Sequence, residues 1–266
     1  MQFISVGGNT LHVRHRPGGG ERPLLVFVNS LGTDLRIWDT VIEDLAGDFP
    51  VLLYDKRGHG LSDLGAGPCT IADHAADLAG LLDRVGAGEV IVCGLSIGGL
   101  IAQNFAAAHP ERLRALVLCD TAHKIGTADG WNQRIATVER EGIAAIADGI
   151  LELWFTPGFR TGSPELLDGC RNMLVRQPVA GYVAACAAIR DADQTEMVGG
   201  IGAPTLVLVG DQDGSTPPDL VRSTADLIPG ARFEIIPDAG HIPCVEQPAA
   251  LVACLRRFFT EQGVLP

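Results

Sequence analysis

Ser96, at the centre of Gly94-Leu95-Ser96-Ile97-Gly98, is the residue of this chain whose setting best suits a nucleophile. It follows a short apolar run, Val90-Ile91-Val92-Cys93, and stands before a stretch with helical spacing. A serine at a strand-to-helix corner sits on strained backbone that lifts its hydroxyl into a cleft. The turn is crowded, so its neighbours must be small; Gly94 and Gly98 meet that need and Gly99 gives further relief. The N–H of Ile97 then points where an oxyanion would form, with a helix dipole behind it. A serine hydroxyl needs a base, and the base needs an acid to orient it. Of seven histidines, His241 alone follows the last predicted strand, in Asp238-Ala239-Gly240-His241-Ile242-Pro243. The acid is expected just past the apolar run 205–209, in Gly210-Asp211-Gln212-Asp213-Gly214. Asp213 is the choice, because the extra residues let the chain turn back toward the His241 loop. Asp211 competes, reading better as a residue that ties down the turn through its own backbone. Asp120, at the end of the preceding apolar run, is a third candidate.

These residues need a scaffold, and the hydropathy pattern supplies one. Residues 24–28, 51–54, 90–93 and 113–119 are continuous β-branched and leucine runs, the signature of strands buried on both faces. Helical patterns at 37–45, 71–85 and 100–108 alternate with them; Ile71, Ala75, Leu78, Leu82 and Val85 share one face of the second. Such alternation predicts a mostly parallel sheet with helices on both faces. Val6-Gly7-Gly8-Asn9 reads as a hairpin turn before it. The pattern lapses between 121 and 200, where only helical stretches are expected, at 132–141, 143–155, 165–175 and 179–189, broken at Thr156-Pro157-Gly158 and Gln177-Pro178. Strands resume at 205–209 and 233–236, and a last helix is expected at 249–260. The predicted organisation is a core of residues 1–120 and 201–266, with residues 121–200 inserted as a helical cap over the edge where open sheets bind ligands. The loop after the run 24–28, Asn29-Ser30-Leu31-Gly32-Thr33-Asp34, lies at that edge and offers the N–H of Leu31 as a second oxyanion donor.

The other histidines read differently. His59, in Arg57-Gly58-His59-Gly60, suits a turn residue pinning the loop after Tyr54. His123 stands at the cap entrance, while His12, His15, His74 and His109 look like surface or strand positions.

At 266 residues and 47% hydrophobic, the chain is large enough for one well-packed α/β domain. A formal net charge of −12 disfavours nucleic acid and anionic membranes as partners. No signal-peptide pattern or membrane-spanning apolar run is visible. Seven scattered cysteines, two of them (Cys93 and Cys119) inside strand-like runs, suggest free thiols and a cytoplasmic location. No metal-ligand spacing appears, and no cofactor or metal is expected.

The chain resembles the 3-oxoadipate enol-lactonases, serine hydrolases of the α/β-hydrolase fold. The resemblance is carried by Asn29-Ser30-Leu31-Gly32-Thr33-Asp34 with Trp38-Asp39, by Asp55-Lys56-Arg57-Gly58-His59-Gly60-Leu61-Ser62, and by the Ser96 motif. Within the cap it extends to Ala122-His123-Lys124-Ile125-Gly126, Trp131-Asn132-Gln133-Arg134-Ile135, Trp154-Phe155-Thr156-Pro157-Gly158-Phe159 and Ala187-Ala188-Ile189-Arg190-Asp191-Ala192-Asp193. The stretches from Gly210 to Pro218 and from Gly240 to Pro248 complete it. Many hydrolases of this fold carry His-Gly where this chain has Asn29-Ser30, so side-chain support of that loop must differ. The resemblance implies opening of a carboxymethyl enol-lactone to 3-oxoadipate in aromatic-compound degradation, through an acyl-enzyme and without a cofactor.

A small anionic lactone would need a local cation in so acidic a protein. Arg134 is the first candidate, one helical turn from Trp131 and suited to bidentate carboxylate recognition. Trp154 could wall the ring. The plainer alternative makes these tryptophans cap core and Arg134 a solvated charge; Arg160, Arg190 and Lys124 stand in reserve. Competing activities on the same frame are a carboxylesterase, a carbon–carbon bond hydrolase or a cofactor-free perhydrolase, and outside catalysis a ligand-binding receptor. A haloalkane dehalogenase is disfavoured, because that chemistry wants a carboxylate where Ser96 stands. The oligomeric state is open.

Overall fold

The apolar runs pair into one eight-stranded sheet in the order β1-β2-β4-β3-β5-β6-β7-β8. Its strands are β1 (Gln2–Val6), β2 (Asn9–Arg16), β3 (Leu24–Val28), β4 (Val51–Tyr54), β5 (Val90–Leu95), β6 (Leu113–Cys119), β7 (Thr205–Gly210) and β8 (Arg232–Ile236). The pairs β1–β2 and β2–β4 are antiparallel and every other pair is parallel. This computed structural model describes residues 1–18, 20 and 22–265; Gly19, Glu21 and Pro266, which fall within the expected core segments, lie outside the described residues.

β3, β4, β5 and β7 are buried at every position, which requires cover on both faces of the sheet. That cover comes from α1 (Asp39–Leu45), α2 (Ile71–Arg84) and α3 (Ile97–Ala108) in the first half. The start of α2 is set by a reciprocal capping box between Thr70 and Asp73, and its expected apolar face is buried from Ile71 to Leu82. Gly7 and Gly8 turn the β1–β2 hairpin at φ +56° and +86°, as their pairing in the sequence predicts.

Between β6 and β7 the described chain is helical, with α4 (Ala128–Glu141), α5 (Ala147–Trp154), α6 (Pro157–Gly162), α7 (Pro164–Val175), α8 (Val179–Asp191) and α9 (Thr195–Val198). The expected break at Thr156-Pro157-Gly158 separates α5 from α6, and Pro157 opens the second of them. Thr156 accepts the Phe159 N–H at the N-cap and Pro157 takes the first helical position, where a missing N–H costs nothing. The expected helix at 143–155 begins instead with a 3₁₀ turn, Ile143–Ile146, entered from Gly142 at φ +81°. After β7 come α10 (Pro218–Leu227), which the strand-focused reading passed over, then α11 (Pro243–Glu246) and α12 (Pro248–Glu261). Each of these three helices opens on proline. Among the described residues no helix is long and apolar enough to cross a membrane.

Candidate active site

Parallel strands deliver their C-terminal ends to one edge, and Ser30, Ser96, Asp120, Asp213 and the His241 loop all follow such ends. At the end of β5 the chain turns through Ser96 at φ 57° and ψ −119° into α3. A non-glycine residue held there costs about 1–3 kcal/mol, so its surroundings must enforce it. They do so from β6: the Ser96 N–H donates to the Cys119 carbonyl at 3.0 Å, and the Thr121 hydroxyl donates to the Ser96 carbonyl at 2.7 Å. A Cβ on Gly94 would strike the Gly98 carbonyl, and one on Gly98 would strike that of Val28. The small neighbours are therefore a packing requirement of the turn.

His241 is 2% exposed, and its Nδ1 lies 2.9 Å from Asp213 Oδ2. The other Asp213 oxygen accepts the N–H groups of Ser215 at 2.7 Å and Thr216 at 2.9 Å, and the Thr216 hydroxyl donates to Oδ2 at 2.7 Å. Burial pushes the Asp213 carboxyl up, but the His241 ring and these donors outweigh it and hold it below the ordinary value. A carboxylate at Nδ1 leaves Nε2 as the basic nitrogen. Asp211 accepts the Ala239 N–H at 3.1 Å, tying the acid loop to the histidine loop and not to its own backbone. Asp120 is buried at φ 45°, its Oδ1 accepting the Gly210 N–H at 2.9 Å and its carboxyl facing that of Asp213. Burial, then the neighbouring Asp213 charge, drives its carboxyl well above the usual range, so of the two carboxyls Asp120 is the one that favours the proton. Asp120, Asp213 and His241 bring donor atoms within 4.8 Å of one another. The donors already filling Asp213 make that cluster a proton-sharing group more than a cation site.

The helical segment between β6 and β7 holds both loops. The Trp154 carbonyl accepts the His241 N–H at 2.8 Å, and the Leu153 carbonyl accepts the Gly214 N–H at 3.2 Å. Glu246 bridges the same join, accepting the Gly240 N–H at 2.8 Å and both the N–H and hydroxyl of Thr156. Thr216 and Glu246 went unnoticed in the sequence, although a Ser-Thr pair just after an acid and just before a proline-started helix is a recognisable carboxylate nest.

In the loop after β3, the N–H of Leu31 makes no hydrogen bond to any described residue, and neither does that of Ile97. Asn29 donates to the Thr33 carbonyl at 2.6 Å, the Thr33 hydroxyl to the Ser30 carbonyl at 3.0 Å, and the Gly32 N–H to His59 Nε2 at 3.0 Å. These contacts are the altered support anticipated from Asn29-Ser30. His59 thus grips the loop after β3 as well as turning its own. Burial and then the nearby Lys56 charge keep it neutral, as an acceptor must be.

Ser96, Ser30, Leu31 and His241 line a cavity of about 330 Å³ together with Trp131, Arg134, Ile150, Leu153, Trp154, Tyr182 and Ile189 from the segment between β6 and β7. Among the described residues lining it, Arg134 carries the one permanent charge, and no carboxylate faces it. Its guanidinium lies 4.8 Å from the Trp131 ring centroid, as their spacing predicts. Trp131 is half-buried and its Nε1 donates to the Ile125 carbonyl at 2.7 Å. Trp154 is 5% exposed, a core residue with one face on the cavity. The reserve cations are committed elsewhere: Lys124 to Asp193 at 2.8 Å, Arg160 to Glu152 at 3.6 Å and Arg190 to Asp191 at 2.7 Å. Arg134 forms no ion pair among the described residues. His123 bonds Thr224 and does not line this cavity, while His74 is neither surface nor strand but a buried position on α2. A larger cavity, about 710 Å³, lies among Gln2, His12, Arg14, Asp34 and Arg36 and contains none of the candidate residues.

Comparison with known proteins places this geometry. A profile of the alpha/beta hydrolase family matches residues 25–253. 3-Oxoadipate enol-lactonase 2 of Acinetobacter baylyi is 36% identical over 91% of this chain and 91% of its own length. The crystal structure of the enol-lactonase from Burkholderia xenovorans superposes with a TM-score of 0.93 at 37% identity, covering 97% of this chain and 100% of that one. A thermophilic esterase from Thermogutta terrifontis follows the same path with a TM-score of 0.91 at 30% identity, over 98% and 99% of the two chains. The chain belongs to the alpha/beta hydrolase family, as a carboxylic ester hydrolase.

Proposed function

We propose that this hydrolase opens 3-oxoadipate enol-lactone to 3-oxoadipate, with Ser96 as nucleophile, His241 as base and Asp213 as the acid that orients it. His241 Nε2 takes the Ser96 proton as the oxygen attacks the ring carbonyl, and the N–H groups of Leu31 and Ile97 receive the oxyanion. Asp213 keeps the proton on Nδ1 and stabilises the imidazolium. The ring C–O bond then breaks, opening to an enolate that leaves more readily than an alkoxide and stays tethered through the acyl chain; it takes the proton from the His241 imidazolium, becoming the ketone and restoring the neutral base. Water, deprotonated by His241, attacks the acyl-enzyme and frees Ser96.

The observation that carries the substrate assignment is the lone Arg134 charge facing the cavity of a protein with net charge −12. A guanidinium without a carboxylate partner, beside Trp131 in a cavity that Trp154 also lines, suits an anionic ring compound. The volume agrees, lying at the low end of the roughly 300–1,000 Å³ typical of ligand sites. In this reading residues 121–200 form the cap that selects the substrate. The similar proteins from A. baylyi and B. xenovorans, both named enol-lactonases, support the same choice. The pathway assignment, degradation of aromatic compounds, follows from the substrate. Seven free cysteines are in keeping with a cytoplasmic enzyme.

The test adds purified protein to freshly generated enol-lactone and follows loss of its ultraviolet absorbance, with Ser96→Ala as control. Rapid loss that disappears in a folded Ser96→Ala protein is expected. Good cleavage of simple esters without acceleration on the lactone would leave a hydrolase but refute this substrate.

A further inference from the structure

Lys56 is 1% exposed and its ammonium reaches one hydrogen-bond acceptor, the carbonyl of Ser30, at 2.6 Å. A lysine is almost never buried so fully unless it is paired. The two carboxylates that favour its charge are engaged by other groups. Asp55 accepts the N–H groups of Leu35 at 2.8 Å and Leu61 at 3.0 Å and meets His12 at 2.8 Å, while Asp34 is paired with Arg36 at 2.6 Å. Among the described residues Lys56 makes no ion pair, so charge neutralisation does not account for its aim.

The peptide geometry does. The Ser30 carbonyl and the Leu31 N–H belong to one trans peptide group, so they point in opposite directions. Pulling the carbonyl inward turns the N–H outward, toward the cavity that Ser30, Leu31 and Ser96 line. We infer that Lys56 is a positioning residue that aims and polarises the Leu31 N–H through the Ser30–Leu31 peptide. Three donors converge on that carbonyl, Lys56 Nζ and the hydroxyl and N–H of Thr33, and only Lys56 brings a charge. A cation on the carbonyl strengthens the N–H at the far end of the same amide as a donor. His59 grips the next amide, Gly32, so Leu31 is held from both sides. Burial draws the lysine down to about 7, against Asp55 and Asp34, which favour its charged form. The inference rests on the reading of Leu31 as an oxyanion donor in a serine hydrolase.

The experiment compares wild type and Lys56→Met on a neutral ester, and measures inhibition by a trifluoromethyl ketone. Addition of Ser96 Oγ to that ketone, with its proton passing to His241, leaves an oxyanion at the same site. Loss of an entire oxyanion donor costs about 100- to 1,000-fold, so a misaimed one is expected to lower kcat about tenfold or more. KM is expected to stay within about twofold, with the inhibition constant rising in proportion to the loss of kcat/KM. Lys56→Gln keeps a donor without the charge and is expected between the two; it gives the same readings if the apolar variant does not fold. Wild-type kcat and ketone affinity in folded Lys56→Met, or in Lys56→Gln if only that protein folds, overturn the inference. So does a loss confined to KM with ketone affinity intact. A wild-type protein that neither cleaves the ester nor binds the ketone refutes the serine-hydrolase reading itself, and this inference with it.

Discussion

Replacing Arg134 with leucine removes the permanent charge from the proposed substrate cavity while keeping a shorter apolar stem. Two unit charges about 4 Å apart attract by about 4 kcal/mol at an effective dielectric of 20, the regime of a partly exposed pocket wall. Arg134 is half-buried, so solvent screening lowers this, and about 2–4 kcal/mol is a fair range for the loss of a charge-assisted pair. At 1.36 kcal/mol per decade, kcat/KM for the carboxylated lactone is expected to fall about 30- to 1,000-fold. A neutral ester of similar size meets the same nucleophile without needing the cation, and its kcat/KM is expected to change by no more than about threefold. Arg134→Lys should recover only part of the loss, because an ammonium cannot offer the planar two-point contact. Initial rates on both substrates, at low and high salt, give the comparison directly. Equal losses on lactone and ester would refute the reasoning. They would mean that Arg134 supports the helices between β6 and β7 through its stack on Trp131, 4.8 Å away, and does not read the substrate.

The acid pair divides the next predictions. Asp213→Asn is expected to lower kcat about 10⁴-fold by removing the carboxylate that fixes the His241 tautomer, and a mild effect would mean another residue serves as acid. Asp120, whose folded carboxyl is held well above its unfolded value, keeps a proton that the unfolded chain gives up. Stability is therefore lost as pH rises from about 4 toward the raised folded value. Asp120→Asn should melt above wild type at about pH 7 to 8 and converge with it near pH 4, in thermal scans across pH; no pH-dependent gap would sink the buried-proton assignment. A Cβ on Gly240 would press on the Trp154 carbonyl that holds the His241 N–H. Gly240→Ala is expected to destabilise by about 1–3 kcal/mol and to lower kcat, and an unchanged kcat would show that this strap does not position the base.

Much of the frame was legible because its signals are local. Five expected strand starts, at Leu24, Val51, Val90, Leu113 and Thr205, coincide with those observed, since buried parallel strands must be continuous apolar runs. The glycines flanking Ser96 mark the turn by the same local logic. The break expected at Thr156-Pro157-Gly158 is there, but the same residues also open α6, since threonine before proline starts a helix as readily as it ends one. The order of Asp213 and His241 after strands says that two loops can meet, but not that the side chains end 2.9 Å apart.

What sequence alone determined was residue type and order: a serine at a strand-to-helix corner, a later acid and a later histidine, and helices between them. Tertiary structure decided which acid is charged. Asp120 and Asp213 are the same residue type, but Ser215, Thr216 and His241 hold one carboxyl down, while burial beside that charge pushes the other up. It also separated Arg134 from Arg160, Arg190 and Lys124, all three of which have carboxylate partners. Lys56 shows the limit most clearly. Nothing in its neighbours along the chain says that its ammonium ends on the Ser30 carbonyl, because that contact exists only once β3 and β4 lie side by side.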